Sequence, residues 1–490
     1  MEVPNSKAKL LLAFFFFFFS FKGQFLCLFY ALLVNSSQVV ASGSVVKSLP
    51  GFEGPLPFEL ETGYVGVGES EDVELFYYFV KSESNPKEDP LVLWLTGGPG
   101  CSSFSAFAYE IGPLNFEQNQ KDGSFPTLVL NPYSWSKAAS IIFVDLPVGT
   151  GFSYARSSTA AECSDLQACD QAYQFLRKWL IDHPEFLLNP VYVGGDSYSG
   201  ITVPVVVQVI TNGNEEGIVP FINLNGYILG NAETDPDFES NYRIPFAHGM
   251  GLISDELYKS LQRNCQGQYF NVDPSNTKCK QDVQAYQECI SGLNTAQILE
   301  PACGFASPKP RTLFSKRRFV QEEYIKFVDP DSPLCASSRV TPHFSSIDGY
   351  RLSHVWLNDN GVREALHIKK GSIGEWIRCN YGLPYKITIR ESFQYHVKLS
   401  SKGYRSLVYS GDHDMLFTYL GTQAWIRSLN YSIVDDWRSW AAEGQIAGYT
   451  RTYSNGMTFA TIKGGGHTAP EYKPLECSSM FRRWISRQPL

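Results

Sequence analysis

Short, wholly apolar runs along this chain end repeatedly in glycine-rich turns. Leu91–Leu95 leads into Thr96-Gly-Gly-Pro-Gly100, and Val191–Val193 leads into Gly194-Gly-Asp-Ser-Tyr-Ser-Gly200. Leu407–Tyr409 leads into Ser410-Gly-Asp-His-Asp414, and Phe459–Ile462 leads into Lys463-Gly-Gly-Gly-His467. Unbroken apolar runs of this length predict strands covered on both faces, as in a parallel sheet flanked by helices. A further apolar stretch, Ile201–Ile210, follows the second turn and predicts a helix. Residues 232–399 are richer in charged, polar and cysteine positions, with helical patterning at Ser254–Asn264 and Thr277–Leu293. The expected architecture is α/β, with a central mixed, mostly parallel sheet. Its first part spans residues 43–231 and its second part 400–490, with a largely helical cap inserted at 232–399.

The turn at Ser197 brings chemistry into this picture. Strand, sharp turn and helix place a serine at the apex with Gly195 and Gly200 close on either side, where larger residues would clash. Taken alone, the hexapeptide reads equally well as a glycine turn before a helix. Its surroundings favour a nucleophile. An acid and then a histidine are required downstream, and both occur on loops at strand ends, where catalytic groups of open α/β sheets collect. Of the eight histidines, only His467 follows a glycine loop in the required place. Asp412 and Asp414 both qualify as the acid; Asp414 is favoured because it stands further from the strand. The loop after Leu95 offers free backbone amides, which with the residue after the serine would form an oxyanion hole from Gly98 and Tyr198. An ordinary tight turn is the competing reading of that loop.

Together these segments resemble the serine carboxypeptidase family (peptidase S10) over nearly the whole chain after its leader. The resemblance rests on Trp94–Ser103, Asp145-Leu-Pro-Val-Gly-Thr-Gly-Phe-Ser-Tyr154, the serine turn, Gly230-Asn231, Tyr409–Asp414 and Gly466-His-Thr-Ala-Pro470. It implies an α/β-hydrolase fold with Ser197, Asp414 and His467 as the triad, and it assigns Thr96, Gly97 and Asp196 to substrate binding. Family peptidases typically carry Asn at the place of Thr96 and Glu at the place of Asp196, a pair that helps grip a free α-carboxylate. Thr96, Asp196 and Ser199 instead resemble the plant serine carboxypeptidase-like acyltransferases. Those enzymes move an aromatic acyl group, hydroxycinnamoyl or benzoyl, from a 1-O-β-glucose ester to an alcohol or amine acceptor. A carboxypeptidase is the alternative reading, and an inactive hydrolase-fold binding protein is a third. By the same resemblance the expected disulfides are Cys101–Cys379, Cys265–Cys279 and Cys303–Cys335, and proteolytic excision near 304–340 is an option for the basic stretch Pro308–Arg318.

Composition narrows the partners. With 43% hydrophobic and 18% charged residues the 490-residue chain can bury a large core. A net charge of −8 leaves no basic character suited to nucleic acid. The triad calls for no cofactor, and no cysteine or histidine spacing suggests a metal. Residues 1–42 read as a secretory signal, with Lys7 and Lys9 before the apolar runs Leu10–Phe21 and Phe25–Val34 and small residues at Ala41-Ser-Gly43. An uncleaved anchor is the alternative; after cleavage no membrane association is expected. The route leads to the vacuole or the cell exterior. It places ten of the eleven cysteines in an oxidising compartment, Cys27 leaving with the leader. It also makes Asn430-Tyr-Ser432 a glycosylation sequon. The oligomeric state has no signature in the sequence.

Overall fold

In the computed structural model, residues 43–117, 124–301 and 346–490 are described. The leader, Cys303, Cys335 and the stretch 304–340 lie outside those residues. The strands of the main sheet are β1 (Ser44–Val46), β2 (Leu60–Val67), β3 (Val73–Val80), β4 (Leu91–Leu95), β5 (Ser140–Val144) and β6 (Tyr154–Ala155). They continue with β7 (Val191–Asp196), β8 (Leu224–Gly230), β9 (Arg405–Gly411), β10 (Ile433–Ala442), β11 (Gln445–Tyr453) and β12 (Met457–Ile462). Their order is β1-β2-β3-β5-β4-β7-β8-β9-β12-β11-β10, with β6 paired to β3.

The six central strands, β5-β4-β7-β8-β9-β12, are mutually parallel, and the strands outside them are antiparallel. Parallel pairing at the centre follows from the apolar runs. Every residue of Leu91–Leu95 and Ser140–Val144 is buried, so both faces must be covered. Helices α1 (Asp165–Asp182) and α2 (Ser199–Glu215) supply part of that cover. Helix α1 buries Ala168, Ala172, Phe175, Leu176 and Trp179 at helical spacing, and its N-cap Ser164 accepts the amide hydrogen of Gln167.

No strand of the main sheet comes from the described residues between 232 and 404. That region carries helices α3 (Asp255–Cys265) and α4 (Thr277–Ile290), joined by the Cys265–Cys279 disulfide. A small separate core holds them, formed by Ile244, Phe246, Ile253, Leu261, Tyr286 and Met415 among others. A second disulfide links Cys101 to Cys379, and both bonds are those of a protein exposed to an oxidising compartment. Among the described residues no helix is long and apolar enough to cross a membrane. The architecture is α/β.

Candidate active site

The C-terminal ends of β4, β7, β8, β9 and β12 meet at one edge of the parallel sheet, where loops of open α/β sheets build their sites. Strand β7 ends at Asp196, Ser197 turns the chain at φ 57°, and α2 begins at Ser199. A non-glycine residue in the left-handed region costs ~1–2 kcal/mol, so this turn is held by its neighbours. The Ser197 amide donates to the Gly230 carbonyl at 3.0 Å, and the Ser197 carbonyl accepts from Gly200 and Glu233, each at 2.9 Å. The flanking glycines have a steric cause. A Cβ on Gly195 would lie 2.4 Å from the Leu95 carbonyl oxygen, and one on Gly200 would lie 2.2 Å from that of Glu233.

The structure brings Ser197, His467 and Asp414 into one chain of hydrogen bonds. His467 Nε2 lies 2.8 Å from Ser197 Oγ, and His467 Nδ1 lies 2.9 Å from Asp414 Oδ2. Asp412 serves elsewhere: its Oδ1 meets His413 Nδ1 at 2.6 Å and accepts the Gly464 amide at 2.7 Å. Asp414 is fully buried and fixed on both oxygens. Leu416 N donates to Oδ1 at 2.7 Å, and Asn231 Nδ2 donates to Oδ2 at 2.9 Å. Asn231 is itself set by the end of β8, at φ 41°, with its Oδ1 accepting the Gly411 amide at 3.1 Å. Burial disfavours the His467 imidazolium, yet the charge and hydrogen bond of Asp414, with the charge of Asp196, outweigh it. The His467 pKa therefore sits above its ordinary value of 6.5.

The loop after β4 lies directly on the serine turn. A Cβ on Gly97 would stand 2.6 Å from Ser197 Cβ and 2.9 Å from Tyr198 N, so only glycine allows this approach. Gly98 follows at φ 122°. Its amide and that of Tyr198 donate to no acceptor among the described residues. Gly97 N is instead turned to Asp196 Oδ1 at 3.4 Å. The Thr96 hydroxyl is buried without a partner among the described residues, and Thr96 lines a cavity of about 20 Å³ with Pro99, Ala168, Tyr198, Thr202 and Tyr385.

Several groups at this edge carry no local signature in the sequence. Glu110 is buried near Asp196; loss of solvent pushes both carboxyls upward, and the charge of Asp196 adds to the rise at Glu110. Burial likewise raises Glu471 to about 7, although Thr468 and Tyr350 each donate to it at 2.7 Å. The Arg378 guanidinium lies over the Tyr350 ring, 3.7 Å from its centre, and offsets part of this negative charge. Asn231 was visible only as part of a motif, because its role depends on where β8 ends relative to β9. Asn430 is exposed at the turn before β10, at φ 56°. Among the described residues no group of acidic, histidine or cysteine side chains is arranged to hold a metal ion.

This constellation matches known proteins in sequence and fold. Residues 50–487 fit the family model of serine carboxypeptidases. The chain is 55% identical over 463 residues to serine carboxypeptidase-like 7 of Arabidopsis thaliana, covering 94% of this chain and 98% of that protein. It is 53% identical over 470 residues to serine carboxypeptidase-like 19 of the same plant, covering 95% and 99%. The fold is that of Kex1, a prohormone-processing carboxypeptidase of Saccharomyces cerevisiae, with a TM-score of 0.68 at 20% identity over 90% of this chain and 94% of that one. The chain belongs to the serine carboxypeptidase family.

Proposed function

We propose that this enzyme is an acyltransferase. It would move a hydroxycinnamoyl or benzoyl group from a 1-O-β-glucose ester to an alcohol or amine through an acyl-enzyme on Ser197. His467 Nε2 takes the Ser197 proton while Asp414 holds the other ring nitrogen, and Oγ attacks the ester carbonyl. The developing oxyanion is placed against the amides of Gly98 and Tyr198. His467 then gives its proton to the departing glucose oxygen. In the second half it removes the proton of the acceptor hydroxyl or amine, which attacks the acyl carbon and frees Ser197.

The observation that carries this reading is the pairing of an intact triad with Thr96 and Asp196. A peptidase must hold a free carboxylate, and each lost hydrogen bond to such a group costs ~1.5–3 kcal/mol. The Thr96 side chain has no amide to donate, its hydroxyl is buried without a partner among the described residues, and the shorter Asp196 is engaged with Gly97. A neutral sugar ester needs no such grip. A vacuolar or extracellular location is part of the same proposal, as is glycosylation at Asn430.

One observation favours carboxypeptidase activity instead. Glu110 and Asp196 are neighbouring buried carboxyls with raised pKa values, and a protonated carboxyl can donate to a substrate carboxylate at acid pH. The deciding experiment incubates mature protein and a Ser197→Ala control with aromatic 1-O-glucose esters and mixed plant metabolites as acceptors, with a blocked dipeptide in parallel. New ester or amide products that vanish in the control establish transfer. Release of the dipeptide's terminal residue without transfer establishes a peptidase.

A further inference from the structure

Both halves of the oxyanion hole hang from one strap of chain, residues 378–389, and a single buried carboxylate joins that strap to the serine turn. The Gly98 loop is fastened to the strap by the Cys101–Cys379 disulfide, by Ser102 N donating to the Arg378 carbonyl at 2.7 Å, and by Asn380 N donating to the Gly100 carbonyl at 2.8 Å. Asn380 Nδ2 adds a bond to the Gly149 carbonyl at 3.1 Å. The Tyr198 half is fastened through Asp165, the first residue of α1, which is fully buried. Asp165 Oδ1 accepts from the Tyr198 hydroxyl at 2.6 Å and from the Tyr385 hydroxyl at 2.8 Å; Oδ2 accepts from the amides of Thr388 and Ile389.

We propose that Asp165 is a positioning residue for catalysis, holding the backbone amide of Tyr198 in the oxyanion hole by gripping that residue's hydroxyl. Ser197 is strained at φ 57°, and such strain persists only where surroundings over-determine it. Without an anchor on its ring, residue 198 could rotate to relieve the turn, carrying its amide away from the developing charge. The bond to Asp165 opposes that rotation. Burial and the carboxylate of Asp165 push both tyrosine hydroxyls to higher pKa, so each remains a donor. Asp165 touches no reacting atom. Its effect passes through Tyr198.

The inference needs only the reading of this chain as a serine enzyme, not the identity of its acyl donor, so its test uses probes that any such enzyme accepts. Full mature protein, Tyr198→Phe, Asp165→Ala and the double variant would be compared in four measurements. These are the rate of Ser197 phosphonylation by a fluorophosphonate, kcat and KM for p-nitrophenyl acetate, the inhibition constant of phenylboronic acid, and Tm. Phenylboronic acid forms a tetrahedral anionic adduct with the serine and therefore reports the hole directly. Removing one donor outright costs ~10²–10³ in rate, so loosening one is expected to cost about tenfold. Each single variant should lose about tenfold in kcat and in phosphonylation, and phenylboronate should weaken by the same factor, with KM held within about twofold. The double variant should be no slower than the slower single one, because both cut the same bond. Tyr198→Phe removes only an oxygen and keeps the assay open if Asp165→Ala folds poorly. Wild-type rates and wild-type boronate affinity in Tyr198→Phe would overturn the proposal, whatever happens to Tm. Additive losses in the double variant would do the same. A parent protein inert to the fluorophosphonate would overturn the serine-enzyme reading and this inference with it.

Discussion

Asp414 would orient His467 poorly if its own oxygens were free, and Asn231 is what denies them that freedom. Its side chain donates to the same Oδ2 that meets His467 and accepts from Gly411 at its other end, bridging β8 to β9. Asn231→Ala leaves one lone pair of a buried carboxylate unmatched, a loss of ~1.5–3 kcal/mol where charge is involved. We expect kcat to fall about 10- to 100-fold with KM nearly unchanged, in the steady-state kinetics of any accepted ester. An unaltered kcat would show that Asp414 needs no third group. The pH profile belongs to this scale too. His467 must be neutral to accept the Ser197 proton, and its pKa is raised above 6.5. Activity should therefore fall as pH drops through a value above 6.5, seen as the acid limb of kcat/KM. Asp196→Asn removes a charge that favours the imidazolium and should move that limb to lower pH. A limb that stays put would mean Asp196 is already neutral in the working enzyme.

Helix α2 starts directly after the serine turn, so its own integrity limits the site. Pro204 lies inside it. With no N–H at 204, the carbonyl of Gly200 loses its helical donor, and the proline ring crowds that carbonyl. The Ser392 hydroxyl takes the vacancy, donating to Gly200 O at 2.8 Å from the segment preceding Phe393–Ser401. Ser392→Ala should cost about 1–3 kcal/mol, the price of an unsatisfied buried carbonyl, read as a lower Tm and denaturation midpoint. Pro204→Ala restores an N–H at the right place, so Ser392→Ala should be milder on that background. Equal losses on the two backgrounds would mean the hydroxyl is not substituting for the helix bond. This contact also marks what reading the chain alone can reach. The strand ends, the serine turn and His467 announce themselves because apolar runs and glycines are local signals. Ser392, Asn231, Glu110 and Asp165 do not, since each acts across a separation fixed only when the sheet has formed. Asp165 reads as an ordinary first-turn acid of a capped helix, and only folding sets it beneath the hydroxyl of Tyr198.

Across the described residues, burial raises several acids together. Loss of solvent raises Asp145 to about 6, Glu471 and Glu233 to about 7, and Glu239 to about 8. Glu239 shows how such a group is kept. Its Oε2 accepts the amides of Thr234 and Asp235, at 2.8 and 3.1 Å, while Oε1 has no partner among the described residues. Each of these groups binds its proton more tightly folded than unfolded. Its contribution is then complete below the ordinary carboxyl range and is lost as pH rises through the folded value. His183, stacked on Trp179 at 3.9 Å and bonded to Glu61 at 3.1 Å, is also raised and acts in the same direction. Glu61 is opposed: burial works against its charge, but His183 and Tyr77 lower its pKa, so its contribution is lost as pH falls through the folded value. His396 also opposes them: burial holds it at about 3, so its contribution is complete above its ordinary 6.5 and is lost as pH falls towards 3. The four raised carboxyls outnumber it above about pH 5, so the sum is a decline from about pH 5 towards pH 8. Thermal unfolding followed from pH 4 to pH 8 checks it, and Glu239→Gln should flatten the decline between pH 6 and pH 8 by removing the group whose folded value lies highest. A Tm that rises towards pH 8 would show that the buried carboxyls are ionised in the folded protein and held by charges other than those named.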